Sequence, residues 1–503
     1  MNSSTRLLVI SDVGGEAARH IGDEAMLEAN LEALRRLVPE VAFTVVCGDP
    51  AWAAARYGVD AVAPFGFPRD PSGGAARAAM LGRLLVDARS CGRVDAILNA
   101  PLDVTRVTAA VVASTDGLVV SGGGNLSSTW PDLLYERVAL LNLARLFGKP
   151  AVVVGQTIGP RLRCDEYHLL AEALSSARFV GVRERTSAAL ALQLGVPPQR
   201  IWYQSDDALF LETNPESATP FPSMPADFVT PRIAVTIDPQ VSAAGEAVFG
   251  PFVAHLREIS VTTGAPLILI PHAFGNESAA VPSDLTEAHL LAEELGLSTT
   301  VVAASLDARQ AMRVTREAAL VISSRYHPIV FGLAAGVPSI GIYGDDYCRI
   351  KLQGALAHAG LERWTVTYDD VTRGELLTKA LELWSTRDQV RRQIESCREA
   401  WREESRQRWA AVLRALDPAI TFPSAVSDTM FGRPVRELTS ALVSTLEAQR
   451  QQGYLETESF RRLFARRDEK KECTHFLENE PGAWKAVSRR WSAARSKLRR
   501  IGL

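Results

Sequence analysis

Arg325 and His327 stand two residues apart in the run Leu320-Val-Ile-Ser-Ser-Arg-Tyr-His-Pro, where an apolar stretch gives way to a segment of small residues ending at Gly336. Arginine carries a fixed fork of donors that matches a phosphate or a carboxylate. Histidine exchanges a proton near neutral pH. Where a strand hands over to a helix, unpaired backbone N–H groups add to the attraction for an anion. An arbitrary histidine is more often a cap than a catalyst, but this placement favours chemistry: an anion site, begun by Ser324, with acid–base capacity. Beyond the next apolar run, Tyr343-Gly-Asp-Asp-Tyr-Cys-Arg-Ile-Lys puts Arg349 and Lys351 within reach of the same place. Salt bridges to Asp345 or Asp346 are their alternative use.

Other apolar runs also end in polar or glycine-rich sequence. Leu118-Val-Val-Ser is followed by Gly122, Gly123, Gly124 and Asn125. Glycine there permits close approach of backbone to ligand, although a tight turn needs it equally. The pattern is not G-x-G-x-x-G, and no G-K-[ST] follows to make a phosphate loop. Gln156-Thr-Ile-Gly-Pro, Val182-Arg-Glu-Arg-Thr-Ser and Gln204-Ser-Asp-Asp-Ala follow three further runs. Arg183 is the anion ligand expected among them, and Asp206 is either a ligand or an N-cap. Gly22 and Asp23, in Ile21-Gly-Asp-Glu, offer backbone donors at a helix start. Neither H-E-x-x-H nor G-x-S-x-G occurs. The pairs Asp206-Asp207 and Asp345-Asp346 could bind a cation but read more simply as solvated caps; no cofactor and no metal ligand is expected, and the sequence leaves the use of a divalent ion open.

Positioning such residues requires strands whose ends converge. Short apolar runs alternate with helical segments, as in a parallel sheet covered on both faces. In the first half the strand candidates are 7–10, 42–47, 96–98, 118–121, 151–155 and 179–182. A helix is expected over Glu24–Leu37, with Leu27, Leu31, Leu34 and Leu37 on one face and Asp23 as its cap. From Glu212 to Pro231 five prolines fall within twenty residues, which reads as a linker. The alternation restarts at 233–237, 267–270, 300–302, 320–323 and 339–343. We therefore expect an α/β protein with two doubly wound, Rossmann-like domains, at residues 1–211 and 232–371, joined by the 212–231 linker. In such sheets ligands bind outside the carboxyl ends of the strands. After about residue 373 the strand signals stop, and residues 372–503 read as a helical extension.

With 503 residues, 47% hydrophobic and 22% charged, and a net charge of -3, the chain is long enough for two domains and has no global footprint for nucleic acid. Six scattered cysteines without a C-x-x-C pair read as reduced thiols. No apolar window approaches the length of a membrane span, which makes a cytoplasmic enzyme the expectation. The last twenty residues, 484–503, hold seven Lys or Arg and no acid, with Trp484 and Trp491 among them. A basic helix of this kind can lie on an anionic membrane face, although a solvated tail or partner helix is the more ordinary reading.

In this order Ile21-Gly-Asp-Glu-Ala, Ser121-Gly-Gly-Gly-Asn, Gln156-Thr-Ile-Gly-Pro, Val182-Arg-Glu-Arg-Thr-Ser, Asp206-Asp-Ala, Ser324-Arg-Tyr-His and Gly336-Val-Pro resemble the polysaccharide pyruvyl transferase family. The resemblance covers roughly residues 7–361. It implies a two-lobed GT-B-like fold and transfer of the pyruvyl unit of phosphoenolpyruvate to two hydroxyls of a cell-surface or lipid-linked sugar, forming a ketal and releasing phosphate. Its arginine–histidine pair falls on Arg325 and His327, and a further arginine on Arg183. Ser324, Arg349 and Lys351 complete the expected donor site. Gly22, Asp23, Gly123, Gly124, Asn125 and Gln156 form the expected acceptor side. His327 is expected to act as an acid. A nucleotide-sugar glycosyltransferase of the same fold and a non-catalytic glycan-binding protein are the competing readings.

Overall fold

The computed structural model describes residues 5–15, 18–70, 72–90, 104–212, 231–274, 283–296, 300–301 and 306–418. The first half supplies β1 Arg6–Ile10, β2 Ala42–Val46, β3 Asp60–Val62, β4 Gly117–Val120, β5 Gly123–Leu126, β6 Ala151–Ile158, β7 Phe179–Val182 and β8 Ile201–Tyr203. The second half supplies β9 Ile233–Thr236, β10 Leu267–Leu269, β11 Thr300–Val301, β12 Leu320–Ser323, β13 Ser339–Tyr343 and β14 Thr365–Thr367. They form two sheets, β3-β2-β1-β4-β6-β7-β8 with β5 on β6, and β11-β10-β9-β12-β13-β14. The pairings that flank the centre are parallel: β1 with β2 and β4, and β9 with β10 and β12. Each sheet thus reverses its strand order next to its first strand, between β1 and β4 and between β9 and β12. A doubly wound sheet opens a crevice there. Strands β4, β6, β7, β9 and β12 are buried along their whole length, which is why they read as unbroken apolar runs.

Several local expectations need correction. The first helix is Ile21–Leu37, so His20 holds the cap position and Asp23 lies in the first turn. Its start is set from the other sheet: Ile21 N donates to His272 O (3.0 Å), and His20 bridges to Ala273. Leu27, Leu31 and Leu34 are buried as expected, but Leu37 is 43% exposed at the last turn. Strand β6 continues to Ile158, which moves Gln156 from a loop into the sheet. The three glycines lead into a short strand, β5, rather than a free turn. Strands β3, β5 and β14 are three or four residues long, too short to show a period. The candidate strand at 96–98 and most of the proline-rich segment lie outside the described residues, as does 484–503.

The helix Arg387–Leu416, roughly 45 Å long for its 30 residues, crosses between the two halves. Val390, Ile394 and Trp401 belong to the apolar core around the second sheet. Trp409, Val412, Leu413 and Leu416 belong to a core on the first. Between these anchors Arg408, 1% exposed, pairs with the buried carboxylate of Asp207, which also accepts from Asn30 (3.1 Å) and Gln204 (3.4 Å). Among the described residues no helix is long and apolar enough to cross a membrane.

Removing one partner of a buried ion pair strands the other charge. Arg408→Leu should therefore cost about 3–5 kcal/mol in urea-induced unfolding, and Asp207→Asn added to it should recover part of the loss. A cost within experimental error of zero for Arg408→Leu would refute this role of the pair.

Candidate active site

The two strand-order reversals face each other across the interface between the sheets. Arg325 caps the helix Tyr326–Ala335, which begins where β12 ends, and His327 lies in its first turn. The imidazole of His327 rests on Gly22 so closely that a Cβ there would come 1.7 Å from Nδ1. Gly22 is therefore a seat for the histidine ring. A second close approach occurs at Gly124, where a Cβ would lie 1.9 Å from the Tyr347 hydroxyl. That hydroxyl donates to Gly124 O (2.9 Å) and accepts from Trp130 Nε1 (3.3 Å).

Arg183, at the end of β7 and 1% exposed, donates to Asp206 (2.6 Å), Thr157 (2.8 Å) and Glu184 (3.1 Å). Its guanidinium lies 4.2 Å from the centre of the Tyr326 ring in the other half. Burial works against its charge, but Tyr326, Asp206 and Glu184 outweigh it and raise the pKa. Arg183 thus enters the site already neutralised.

Arg325 is held likewise by Asp284, whose carboxylate takes Nε (3.1 Å) and Nη2 (2.6 Å) from the guanidinium. The same carboxylate accepts the backbone N–H groups of His272 (3.2 Å) and Ala273 (2.9 Å). Burial opposes the charge of Arg325, and Asp284 and Asp238 more than compensate.

Arg349 and Lys351 part company. Arg349 bonds to Asp346 (3.0 Å) and Gln353 (3.4 Å) on its own helix, the salt bridge that the sequence leaves open. Lys351 reaches inward, 5.2 Å from the Tyr326 ring and 3.5 Å from the Tyr347 hydroxyl.

Burial pushes the pKa of His327 well below the ordinary histidine value, and Arg183, Lys351 and His20 push it the same way. The lowered pKa favours the neutral ring in the resting site. Its Nε2 is shielded from solvent and has no hydrogen-bond partner among the described residues, with Asp206 4.0 Å away. Asp23 behaves oppositely. Burial and the nearby Asp12 push its carboxyl up to about 7, against the pull of Lys351 and Arg183.

The remaining expected residues are spread along the two walls. Ser324 Oγ accepts from Asp238 N (2.8 Å) and so braces the turn after β9. Gly123 and Asn125 lie in β5, with Asn125 buried and its Nδ2 unpartnered among the described residues. Gln156 is buried in β6, where its Nε2 donates to Ser121 O. The fold brings Gly22, Asp23, Arg183, Arg325, His327 and Lys351 into one cluster, and it leaves Arg349 at the side. Sequence reading did not single out Asp284, His272 or Tyr347. Tyr347 lies inside a segment already flagged, and His272 stands just past a strand end, the rule that found the others. Asp284 had no such signal, because after Ser283 it reads as an ordinary helix start.

The raised Asp23 carboxyl has a signed consequence for stability. Its folded pKa exceeds the unfolded one, so its contribution is complete below the unfolded value and is lost as pH rises toward about 7. Asp23→Asn should flatten the fall in unfolding free energy between about pH 4 and 7; an unchanged slope would contradict it. Gly22→Ala should displace the His327 ring and lower activity at least tenfold, with an unchanged far-UV circular dichroism spectrum. Near-normal activity would show that the seat is not needed.

Comparison with known proteins agrees with this architecture. Among curated proteins none matches the sequence significantly. A structure of a UDP-N-acetylglucosamine 2-epimerase has a TM-score of 0.52 at 11% identity, over 84% of this chain and 99% of that one. A candidate UDP-N-acetylglucosamine 2-epimerase of Listeria monocytogenes has a TM-score of 0.51 at 14% identity, over 77% and 91%. At such identities the likeness concerns the fold, two Rossmann-like domains in a GT-B-like pair with a helical C-terminal region. The family model for polysaccharide pyruvyl transferases matches residues 20–346, which includes Gly22, Asp23, Arg183, Arg325 and His327 of the cluster and ends five residues before Lys351. The chain belongs to the polysaccharide pyruvyl transferase family.

Proposed function

We propose that the protein transfers the pyruvyl unit of phosphoenolpyruvate to two hydroxyls of one sugar in a cell-surface glycan or its lipid-linked precursor. The product is a cyclic ketal, and inorganic phosphate is released. The observation that carries this reading is the meeting of Arg325, His327 and Lys351 from the second sheet with Gly22, Asp23 and Arg183 from the first. A donor bearing both phosphate and carboxylate needs several donors of hydrogen bonds to anionic oxygen, and Arg325 and Lys351 suit that task. The wall formed by β5, Asn125 and Gln156 is assigned to the acceptor.

The proton inventory then falls on His327. As a neutral base it removes the proton of the first hydroxyl as that oxygen bonds to C2 of the enol. As an imidazolium it returns the proton to C3, turning the methylene into a methyl group. The second hydroxyl then attacks C2, the C–O bond to phosphate breaks, and its proton leaves with the phosphate. Atoms and charge balance without a redox partner. Asp23, able to hold a proton near neutrality, is suited to hydrogen-bond an acceptor hydroxyl.

The test is to incubate the purified protein with phosphoenolpyruvate and candidate glycans, then assay for the mass of a pyruvyl ketal and for free phosphate. Transfer from a nucleotide sugar, with release of a nucleoside diphosphate, would replace this reading by the glycosyltransferase one. His327→Gln should lower turnover about 10²–10⁴-fold while still binding phosphoenolpyruvate. Near-normal turnover would remove the acid–base role, and lost binding with normal turnover would make His327 a ligand residue only.

A further inference from the structure

His272 follows β10 in Ile270-Pro-His, and the residue is 4% exposed. Neither of its ring nitrogens has a hydrogen-bond partner among the described residues. Its backbone, by contrast, is fully engaged: the N–H donates to Asp284 (3.2 Å), and the carbonyl accepts from Ile21 N (3.0 Å). Because the carboxylate of Asp284 also holds the guanidinium of Arg325, one acid fixes both the chain at His272 and the side chain of Arg325. The His272 and His327 rings pack on the same phenyl group, with centroids 5.5 Å and 6.4 Å from that of Phe331. Burial, His327 and Arg325 together push the pKa of His272 down to about 3, so the ring is neutral.

Burying two polar nitrogens without partners costs free energy that a phenylalanine in the same place would not. Buried unpaired groups of this kind mark places where a ligand or water completes the bonding. A neutral imidazole offers one N–H, and an anionic oxygen beside Arg325 is the acceptor that its position suits. We propose that His272 is a further contact residue of the donor site and donates a ring N–H to an anionic oxygen of the substrate that Arg325 binds. That the substrate is phosphoenolpyruvate rests on the reading above.

The test compares wild type, His272→Phe and His272→Asn by calorimetric titration and thermal unfolding, with phosphoenolpyruvate, inorganic phosphate and pyruvate as separate probes. His272→Phe should bind phosphoenolpyruvate about ten- to a hundredfold more weakly, while its unliganded melting temperature is equal to or above that of wild type. His272→Asn, which keeps an N–H, should recover part of the affinity. Whether phosphate or pyruvate binding falls with it identifies the group contacted. Wild-type affinity for phosphoenolpyruvate in His272→Phe would overturn the inference and leave the proposed donor standing. A wild type that ignores phosphoenolpyruvate but binds inorganic phosphate, with that binding lost in His272→Phe, would sustain the inference and overturn the donor. No response of wild type to any of the three probes would overturn both.

Discussion

The guanidinium of Arg183 holds the arrangement together. Fully buried, it would be untenable without Asp206 and Glu184, and with them it forms a compact ionic unit at the ends of β7 and β8. The second half docks on that unit twice. Tyr326 lays its ring over the guanidinium, and the ring N–H of His358 donates to the Arg183 carbonyl (2.9 Å) while its imidazole stacks on Tyr203. A short step away, Arg408 from the crossing helix neutralises Asp207. The contacts are directional, and those of Tyr326 and Arg408 also cover a buried charge, so sliding one half against the other would expose it. The interface is therefore specified far more sharply than apolar packing alone would specify it.

This has a consequence for how the site attracts an anion. Two of its three inward cations, Arg183 and Arg325, already carry bound carboxylates. Of these three, only Lys351 has no acidic partner within ion-pair distance among the described residues. Attraction by net charge is accordingly modest, and selectivity falls on donors fixed in direction. Arg325 illustrates the point: Asp284 orients its fork by Nε and Nη2, so the guanidinium plane is set before any ligand arrives. Neutral His327 and His272 fit the same pattern, since they add hydrogen-bonding capacity without further charge.

Glycine plays a part in the site that is steric and not phosphate-cradling. Gly22 and Gly124 each lie against a side chain from the opposite half, His327 and Tyr347. A side chain at either place would hold the two halves apart by the width of a methyl group. Gly22 and Gly124 are therefore contact points between lobes, and Gly22 lets the histidine sit where burial lowers its pKa.

The amino-acid sequence by itself determined the fold class. A buried parallel strand must be apolar on both faces, so its identity is written in consecutive residues such as Leu320–Ser323 and Ala151–Val154. It also determined which polar residues gather at the strand ends, because polar residues directly after such strands can only lie at a sheet edge; the placement of Arg183, Arg325 and His327 was legible on that ground. Only the tertiary structure decided their partners and charge states. Asp284 and Arg325 are far apart in the chain, and nothing local in Pro-Ser-Asp marks that acid as an orienting group rather than a helix start. Arg349 and Lys351, two residues apart on one helix, differ only in the face they present, and packing sent Lys351 inward and left Arg349 with Asp346. The start of the first helix likewise follows from a group of the other half, the His272 carbonyl, and the strand at Gln156 follows from its pairing with β5 and β7. Hydrophobic period is a local property, whereas electrostatic environment is the sum over whatever the fold brings within a few ångströms.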